Sequence, residues 1–508
     1  MKLVIAAVKH VVAAVLLVVA TVLLGITAGV LLFVAGCASS NQTDAPPSDD
    51  KTRFADKRPN ILIIVGDDLG PQLLCYGDSL ARTPHFDRLA REGMRFTNAY
   101  VTQASCSPSR ASLLTGLYPH QNGQVGLVPG YSMHPGIQTL PRILKQAGYR
   151  TGVIGKVHVL PDSAFAFDFM DEMKDDGDAD AHAIEVGERS NRPDRRSRDM
   201  AAFARLAKEF FAKDRERPFF LILSYPDPHR PFLNQVEGIP AHPRAADDVR
   251  SMPFLGIDTP ATRETAAGYF NSVERLDHGV GLALEALADA GLKSTTLVIA
   301  LGDQGPPFAR AKGTCYEAGI KVPLLLRWPG HIPPGVVSNA FVSTLDLMPT
   351  VLEWTRCEAP LELEGKSLSP LVTGKAMQPS KFREFVFSEF TSHGKLGHYP
   401  RRAVRDERYK LILNLAPDRP NPFKEIDGDV SWSESRRPEF EGTEVRRLYD
   451  EFAAPPAVEL YDLAHDPWEM KNLAADSTYQ QVREQLAHIL SDWRIGHGDT
   501  LGVFQLEE

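Results

Sequence analysis

The 508 residues of the chain are 43% hydrophobic and 24% charged, a composition typical of a globular protein with a large buried core. The formal net charge of -9 provides no general attraction for polyanions, so nucleic acid is excluded as an expected partner. Five cysteines without metal-type spacing argue against a zinc site and against a disulfide framework.

The first 36 residues are predicted to be a targeting segment that takes no part in the fold. An apolar stretch over residues 11–35 follows a positively charged start. Residues 34–37 resemble the lipobox of bacterial lipoproteins, and this resemblance implies cleavage before Cys37 and acylation of its thiol. The alternative is an uncleaved transmembrane anchor, since 25 apolar residues can span a bilayer. Both interpretations make residues 37–57 a solvated tether and place the protein on a membrane outside the cytoplasm, in the periplasm or at the cell surface.

Beyond residue 58, short apolar runs alternate with amphipathic segments. The runs predict strands at 60–65, 149–154, 218–225, 295–301 and 322–328, and the segments predict helices at 83–93, 139–147, 195–212 and 262–290. This alternation predicts an α/β domain over residues 58–379, with a large, mainly parallel sheet and helices on both faces. From residue 380 to 508, shorter strands, turns and a last helix near 479–493 indicate a smaller C-terminal α+β domain.

Carboxylates follow two of the predicted strands at the point where each strand ends. Asp67 and Asp68 come after the first strand, and Asp303 and Gln304 come after the strand at 295–301. Ligands of such sheets lie beyond the carboxyl ends of the strands, so we expect these side chains at one edge. Three carboxylates and an amide oxygen suit Ca²⁺ or Mg²⁺ better than a soft metal. Taken alone, the first pair is equally compatible with a solvated turn.

The segment from Cys106 to Gly116 has the sequence CSPSRASLLTG. Pro108 suits the first turn of a helix and Gly116 its end, which places Cys106 at a helix N-terminus, where free amides favour an anion. The segment is similar to the signature of sulfatases, in which a maturation enzyme converts the cysteine to Cα-formylglycine. This resemblance implies that Cys106 carries the nucleophile as an aldehyde hydrate and that Arg110 holds its oxygen.

The resemblance extends over residues 58–495 and implies an alkaline-phosphatase-like sulfatase fold. It assigns a calcium or magnesium ion to Cys106 and the four strand-end residues, although Gln304 stands where the family usually has Asn or His. It implies four further roles, filled by five residues: sulfate neutralisation by two lysines, a base beside the hydrate, a proton donor to the leaving atom and substrate binding. The corresponding residues are Lys156, Lys312, His158, His229 and Arg230.

Within the family, four segments resemble the sulfamidases, which remove the N-sulfo group from terminal glucosamine of heparin and heparan sulfate. These segments are residues 105–123, 155–158, 227–230 and 277–282. Lys312 departs from that subgroup, which has arginine there. A sulfated saccharide is therefore the expected substrate. The alternatives are an O-sulfatase acting on another sulfated glycan or an aryl sulfate, a phosphonate or phosphate-ester hydrolase, and a non-catalytic glycan-binding lipoprotein with an unconverted Cys106.

Overall fold

The computed structural model describes residues 58–173, 196–372, 382–394 and 397–501. The predicted targeting segment and tether, including Cys37, lie outside the described residues. Within these four stretches, no helix has the length and apolar character needed to cross a membrane.

Eight strands form one mixed sheet, and the bounds of the five predicted strands agree with it to within one residue. The strands are β1 (Asn60–Gly66), β2 (Met94–Tyr100), β3 (Arg150–Gly155), β4 (Phe169–Asp171), β5 (Phe219–Tyr225), β6 (Thr296–Gly302), β7 (Lys321–Arg327) and β8 (Val336–Ser343). Their order is β4-β3-β5-β1-β6-β7-β2-β8. Parallel pairing joins β4, β3, β5, β1 and β6, and also β2 and β8, whereas β7 is antiparallel to both of its neighbours. The prediction of a mainly parallel sheet is confirmed.

Helices cover both faces of this sheet, as predicted. They are α1 (Pro84–Glu92), α2 (Cys106–Thr115), α3 (Pro119–Asn122), α4 (Leu140–Gln146), α5 (Met200–Ala212), α6 (Pro260–Asp289), α7 (Glu317–Ile320), α8 (Leu347–Thr355) and α9 (Ser369–Val372). Side chains of β1 alternate between two apolar layers, because successive residues of a strand face opposite sides. Leu62 and Ile64 pack with α1, α5 and α6, whereas Ile61, Ile63 and Val65 pack with α2, α4 and α8.

A second, antiparallel sheet lies in the C-terminal region, which confirms the expected smaller α+β part. Its strands are β9 (Val386–Ser392), β10 (His398–Arg405), β11 (Tyr409–Asn414) and β12 (Val458–Asp462), in the order β12-β11-β10-β9. The same region contains α10 (Ser431–Ser435), α11 (Glu444–Ala453) and α12 (Gln480–Gly496). The residues from Arg58 onward form one compact unit, so a domain division at residue 380 stays a prediction.

Two segments that carry the sulfamidase resemblance hold the fold together. Asp277 of α6 accepts hydrogen bonds from the backbone amides of His85 and Phe86, at 3.1 and 2.8 Å, and so caps the start of α1. The ring of His120 in α3 contacts the Glu389 carboxylate of β9 at 2.5 Å. The first contact fixes α1 against α6, and the second joins the main sheet region to the C-terminal sheet.

Candidate active site

Asp67, Asp68 and Asp303 lie together at the carboxyl edge of the main sheet, as predicted. Gly66 of β1 is the register partner of Gly302 of β6, so the residues that follow the two strands are neighbours. The backbone amide of Asp68 donates a hydrogen bond to Oδ1 of Asp303 at 2.9 Å. One carboxylate oxygen from each aspartate lies within 4.8 Å of the other two, and all three side chains are buried. Their oxygens could therefore bind one ion.

The electrostatics of this group fit a divalent cation. Oδ1 of Asp67 is buried and finds no hydrogen-bond partner in the described part of the chain. Burial and the charge of Asp67 raise the pKa of Asp303, which shows that the carboxylates repel one another. A cation with several oxygen ligands would give the buried Oδ1 of Asp67 a partner and would offset the repulsion among the carboxylates. The acidic strand ends therefore fit Ca²⁺ or Mg²⁺.

Gln304 lies where it can complete this set of oxygen ligands. Its Nε2 contacts Oδ1 of Asp68 and lies 3.0 Å from Sγ of Cys106, whereas its Oε1 is buried without a hydrogen-bond partner among the described residues. A 180° rotation of the amide would turn the oxygen toward Asp68. The longer Gln side chain therefore reaches the position predicted for the fourth ligand.

Three cationic side chains surround the carboxylates, one for each. Nε of Arg110 donates to Asp303 at 2.8 Å, Nζ of Lys156 donates to Asp67 at 2.6 Å, and Nζ of Lys312 donates to Asp68 at 2.9 Å. Burial acts to raise the pKa of Asp67, but the cations, above all Lys156, outweigh burial and hold that pKa well below its usual range. The structure thus brings together the predicted anion-binding residues and the predicted metal ligands.

Cys106 is the first residue of α2, and Gly116 ends the helix in the left-handed conformation with φ 68°. The thiol is buried, and one ligand atom from each of Cys106, Asp67 and His229 falls within 4.8 Å of the others. Burial and the charge of Asp67 raise the pKa of the Cys106 thiol well above its usual value. Because the thiolate is the nucleophilic form of cysteine, the unmodified side chain is poorly suited to attack a substrate here.

The two predicted histidines also reach this site. Nε2 of His229 lies 3.8 Å from Oδ2 of Asp68, while its Nδ1 donates to the carbonyl oxygen of Arg230. His158 has φ 56°, and its Nδ1 is buried with no hydrogen-bond partner in the stretches that the structure describes. Burial, aided by Lys156, lowers the pKa of His158 well below its usual value, and burial and Lys312 lower the pKa of His229. The neutral form of both rings is therefore favoured, and either ring must take up a proton before it can donate one.

A buried ion cluster that the sequence analysis missed holds the loop that carries His229. Asp227 receives hydrogen bonds from Arg275 of α6, at 2.6 and 2.8 Å, and from Arg198. Arg198 also donates to the carbonyl oxygen of His229 at 2.9 Å. The carbonyl oxygen of Asp227 accepts a hydrogen bond from the amide of Asp67 at 3.2 Å. The cluster thus connects the histidine loop to the first metal-binding strand end.

Arg230 lies beside the site with its guanidinium engaged by protein groups. Its Nη2 is 3.4 Å from Asp429, its Nε donates to the carbonyl oxygen of Pro307 at 3.1 Å, and its guanidinium lies 4.5 Å from the ring centroid of Phe232. Substrate binding by Arg230 therefore stays a prediction.

The C-terminal region supplies two further groups that no sequence motif indicated. Oδ2 of Asp427 lies 2.8 Å from Nζ of Lys312. Nδ1 of His393 lies 2.9 Å from the hydroxyl of Ser105, the residue before Cys106. Both come from loops, where neither strand nor helix periodicity marks a side chain as facing the site.

Comparisons with known proteins agree with this geometry. Residues 59–357 match the family model described as Sulfatase, which covers more than half of the chain. The chain belongs to the sulfatase family. A second family model, described as N-sulphoglucosamine sulphohydrolase, C-terminal, matches residues 310–419 of this sulfatase.

Individual relatives cover nearly the whole enzyme. It is 35% identical to N-sulphoglucosamine sulphohydrolase of Homo sapiens over 86% of this chain and 89% of the relative. It is 30% identical to an ulvan-active sulfatase of Formosa agariphila, over 92% and 86% of the two chains. A solved structure of a protein in complex with its substrate D-glucosamine-2-N,6-O-disulfate superposes with a TM-score of 0.62 at 21% identity, covering 87% of this chain and 99% of the other. The sulfatase fold and enzyme class predicted from the sequence are confirmed.

Proposed function

We propose that this sulfatase hydrolyses the N-sulfo group of glucosamine at the non-reducing end of heparin or heparan sulfate. The support for the sulfamidase assignment is the 35% identity with the human N-sulphoglucosamine sulphohydrolase over most of both chains, together with the C-terminal family match. The observation that carries the reaction type is the group of three buried carboxylates and three cations around Cys106.

The proposal includes two groups that the chain acquires after synthesis. Asp67, Asp68, Asp303 and Gln304 would hold Ca²⁺ or Mg²⁺, with Cys106 as the fifth member of that set. When bound, such an ion neutralises charge on the sulfate oxygens. A maturation enzyme would convert Cys106 to formylglycine, whose hydrate supplies a hydroxyl nucleophile. The position of Cys106, buried at the start of α2 and close to the proposed metal ligand Asp67, supports this assignment.

The remaining catalytic roles would be filled by side chains of the protein, according to their positions in the site. Arg110, fixed by Asp303, would hold the nucleophile at the start of α2. Lys156 and Lys312 would bind sulfate oxygens from two sides, since each carries a charge that buried carboxylates stabilise. His158 would accept the proton of the nucleophile, and His229, after taking up a proton from water at Nε2, would donate it to the leaving nitrogen.

Substrate preference tests the sulfamidase assignment. We expect kcat/KM of the matured enzyme to be highest for N-sulfoglucosamine, because an amine leaving group must gain a proton as the S–N bond breaks. The comparison uses 6-O-sulfo-N-acetylglucosamine, an aryl sulfate and a phosphonate monoester at equal pH. A tenfold preference for any of these three, about 1.4 kcal/mol in transition-state binding, would reject the assignment.

One observation favours an O-sulfatase as the second candidate. Lys312 stands where sulfamidases have arginine, and the ulvan-active sulfatase is 30% identical over 92% of this chain. Since lysine cannot bind an anion with two parallel hydrogen bonds as arginine does, the sulfate group would be held differently. The substrate comparison separates the two candidates.

We also propose that the enzyme is exported and anchored to a membrane by a lipid on Cys37. The apolar run at 11–35 followed by Gly36 and Cys37 supports this. The mature protein should begin at Cys37 and take up labelled fatty acid, and Cys37→Ala should abolish the label. A mature protein that keeps residues 11–35 would instead support the transmembrane anchor.

A further inference from the structure

A turn of the C-terminal region brings Asp427 to the active site. The turn lies at the end of the 3-10 segment Pro422–Gly428, where the backbone angles of Glu425, Ile426 and Asp427 are not helical. Asp427 has φ 52°, in the left-handed region, which aspartate tolerates better than most residues. Such a conformation persists only where the surroundings fix it.

Residues on both sides of Asp427 fix this turn on the segment that carries Lys312. Ile426 is fully buried, and its Cδ1 lies 3.0 Å from the position of a Cβ added to Gly313. On the other side, the Asp429 carboxylate accepts a hydrogen bond from the amide of Ala309 at 3.2 Å. These contacts fix the position of Asp427 relative to Lys312, as a recognition residue requires.

Asp427 belongs to the exposed side of the site. Its side chain is 21% exposed, close to the 23% of Lys156 and the 20% of His229. By contrast, the side chains of Asp68 and Lys312 are 0% and 1% exposed. Asp427, Lys156 and His229 are therefore among the more exposed side chains of the site.

The carboxylate of Asp427 also retains capacity to accept hydrogen bonds. Its Oδ2 is buried and paired with Nζ of Lys312 at 2.8 Å, so a further hydrogen bond from a ligand would be accepted at Oδ1. One ligand atom from each of Asp427, His229 and Asp68 lies within 4.8 Å of the others. Asp427 therefore lies beside His229, the residue proposed to protonate the leaving nitrogen.

We propose that Asp427 is a specificity-determining residue that accepts a hydrogen bond from a hydroxyl of the sugar ring bearing the sulfate group. The proposal rests on the proposed function and extends it from the sulfate to the leaving sugar. A carboxylate is an acceptor only, so it selects a hydroxyl donor and repels a sulfated or carboxylated substituent at the same position. A site built to bind a hydroxyl rejects an analogue that lacks it.

The test compares Asp427→Asn with the matured wild-type enzyme on N-sulfoglucosamine. We expect kcat/KM to fall about 100-fold, because a neutral amide is a weaker acceptor than a carboxylate. The inhibition constant of inorganic sulfate should stay within about threefold or become smaller, since Lys312 keeps its bond to Asp68 and loses a competing anion. A sulfate affinity that weakens in parallel with kcat/KM would show that Asp427 only positions Lys312, and an unchanged kcat/KM would also overturn the proposal.

A second measurement does not depend on the variant folding. Deoxy analogues of the sugar, each lacking one hydroxyl, are compared with the parent in the wild-type enzyme, and one of them should lose about 100-fold in kcat/KM. In Asp427→Asn, removal of that same hydroxyl should lower kcat/KM little further. The reason is that the effects of removing the two partners of one contact are not additive. Equal losses in both enzymes would contradict the contact. The exposed Asp418→Asn is the matched control, and thermal unfolding monitors the fold of both variants.

The two levels of the proposal fail separately. If the wild-type enzyme prefers an O-sulfated sugar, the N-sulfatase assignment is wrong, and the Asp427 comparison is made on that sugar. The contact would still be supported if removal of one hydroxyl lowered kcat/KM in the wild-type enzyme but not in Asp427→Asn. If no sulfated sugar showed this difference between the two enzymes, the contact would be rejected.

Discussion

Cys106→Ala is expected to lower kcat by at least about 10⁴-fold, because the variant has no side chain from which the nucleophile can form. Enzyme matured in a host with the converting enzyme is measured on the preferred substrate. In the wild-type protein, the peptide that contains Cys106 should lose its thiol and gain an aldehyde, as mass spectrometry can show. Since Cys106 is the first residue of α2, the alanine variant should keep the helix.

Cys357→Ala is the matched control for this experiment. Cys357 is a free, half-buried cysteine that follows α8, and its thiol contacts the carbonyl oxygen of Thr355 at 3.7 Å. Its replacement should leave both activity and aldehyde content unchanged. Full activity of Cys106→Ala, or full activity of a wild-type enzyme that still carries the thiol, would reject formylglycine chemistry.

Asp303→Asn and Asp67→Asn should each lower kcat by roughly 10²- to 10³-fold. In either variant the ion would lose one anionic ligand, and the site would lose part of its preorganised charge. The fold should survive, since asparagine keeps the shape of the side chain and burial already opposes the charge of Asp303. Elemental analysis should show loss of Ca²⁺ or Mg²⁺ from the variants. Asp289→Asn, an exposed change near the end of α6, serves as the control.

Chelation gives an independent check on the same site. Removal of the ion should abolish turnover by the wild-type enzyme, and Ca²⁺ or Mg²⁺ should restore it. A fully active enzyme that contains no metal after chelation would show that Asp67, Asp68 and Asp303 serve only as partners for the three cations.

The strands that carry the metal-binding residues could be predicted because they are buried on both faces. A strand such as β1 is a continuous apolar run, so both the strand and its polar end are visible in the sequence. β2 and β8 were missed because they mix apolar with polar residues, with burial that does not follow a single pattern. The short helix α8 was missed as well. None of these three elements carries a predicted site residue.

The site residues that could be predicted from the sequence also differ in location from those that could not. Side chains that directly follow a buried strand or start a marked helix, such as Asp67, Asp303 and Cys106, were found from the sequence. Asp427 and His393 were not, because they lie on C-terminal loops and approach Lys312 and Ser105 only through the tertiary fold. Predicting such contacts requires knowledge of how the second sheet packs, which local patterns do not contain.

The burial of Cys106 in α2 restricts when its thiol can be modified relative to folding. The thiol is 2% exposed, and α2 lies beneath an apolar layer that also contains α8. The proposed converting enzyme would therefore have to reach the thiol before this segment folds. About 230 residues separate Gly116 from the end of β8, which at the usual rates of synthesis takes roughly 10 to 50 s. The proposed conversion would therefore compete with folding, and chains that fold first would keep an unmodified thiol.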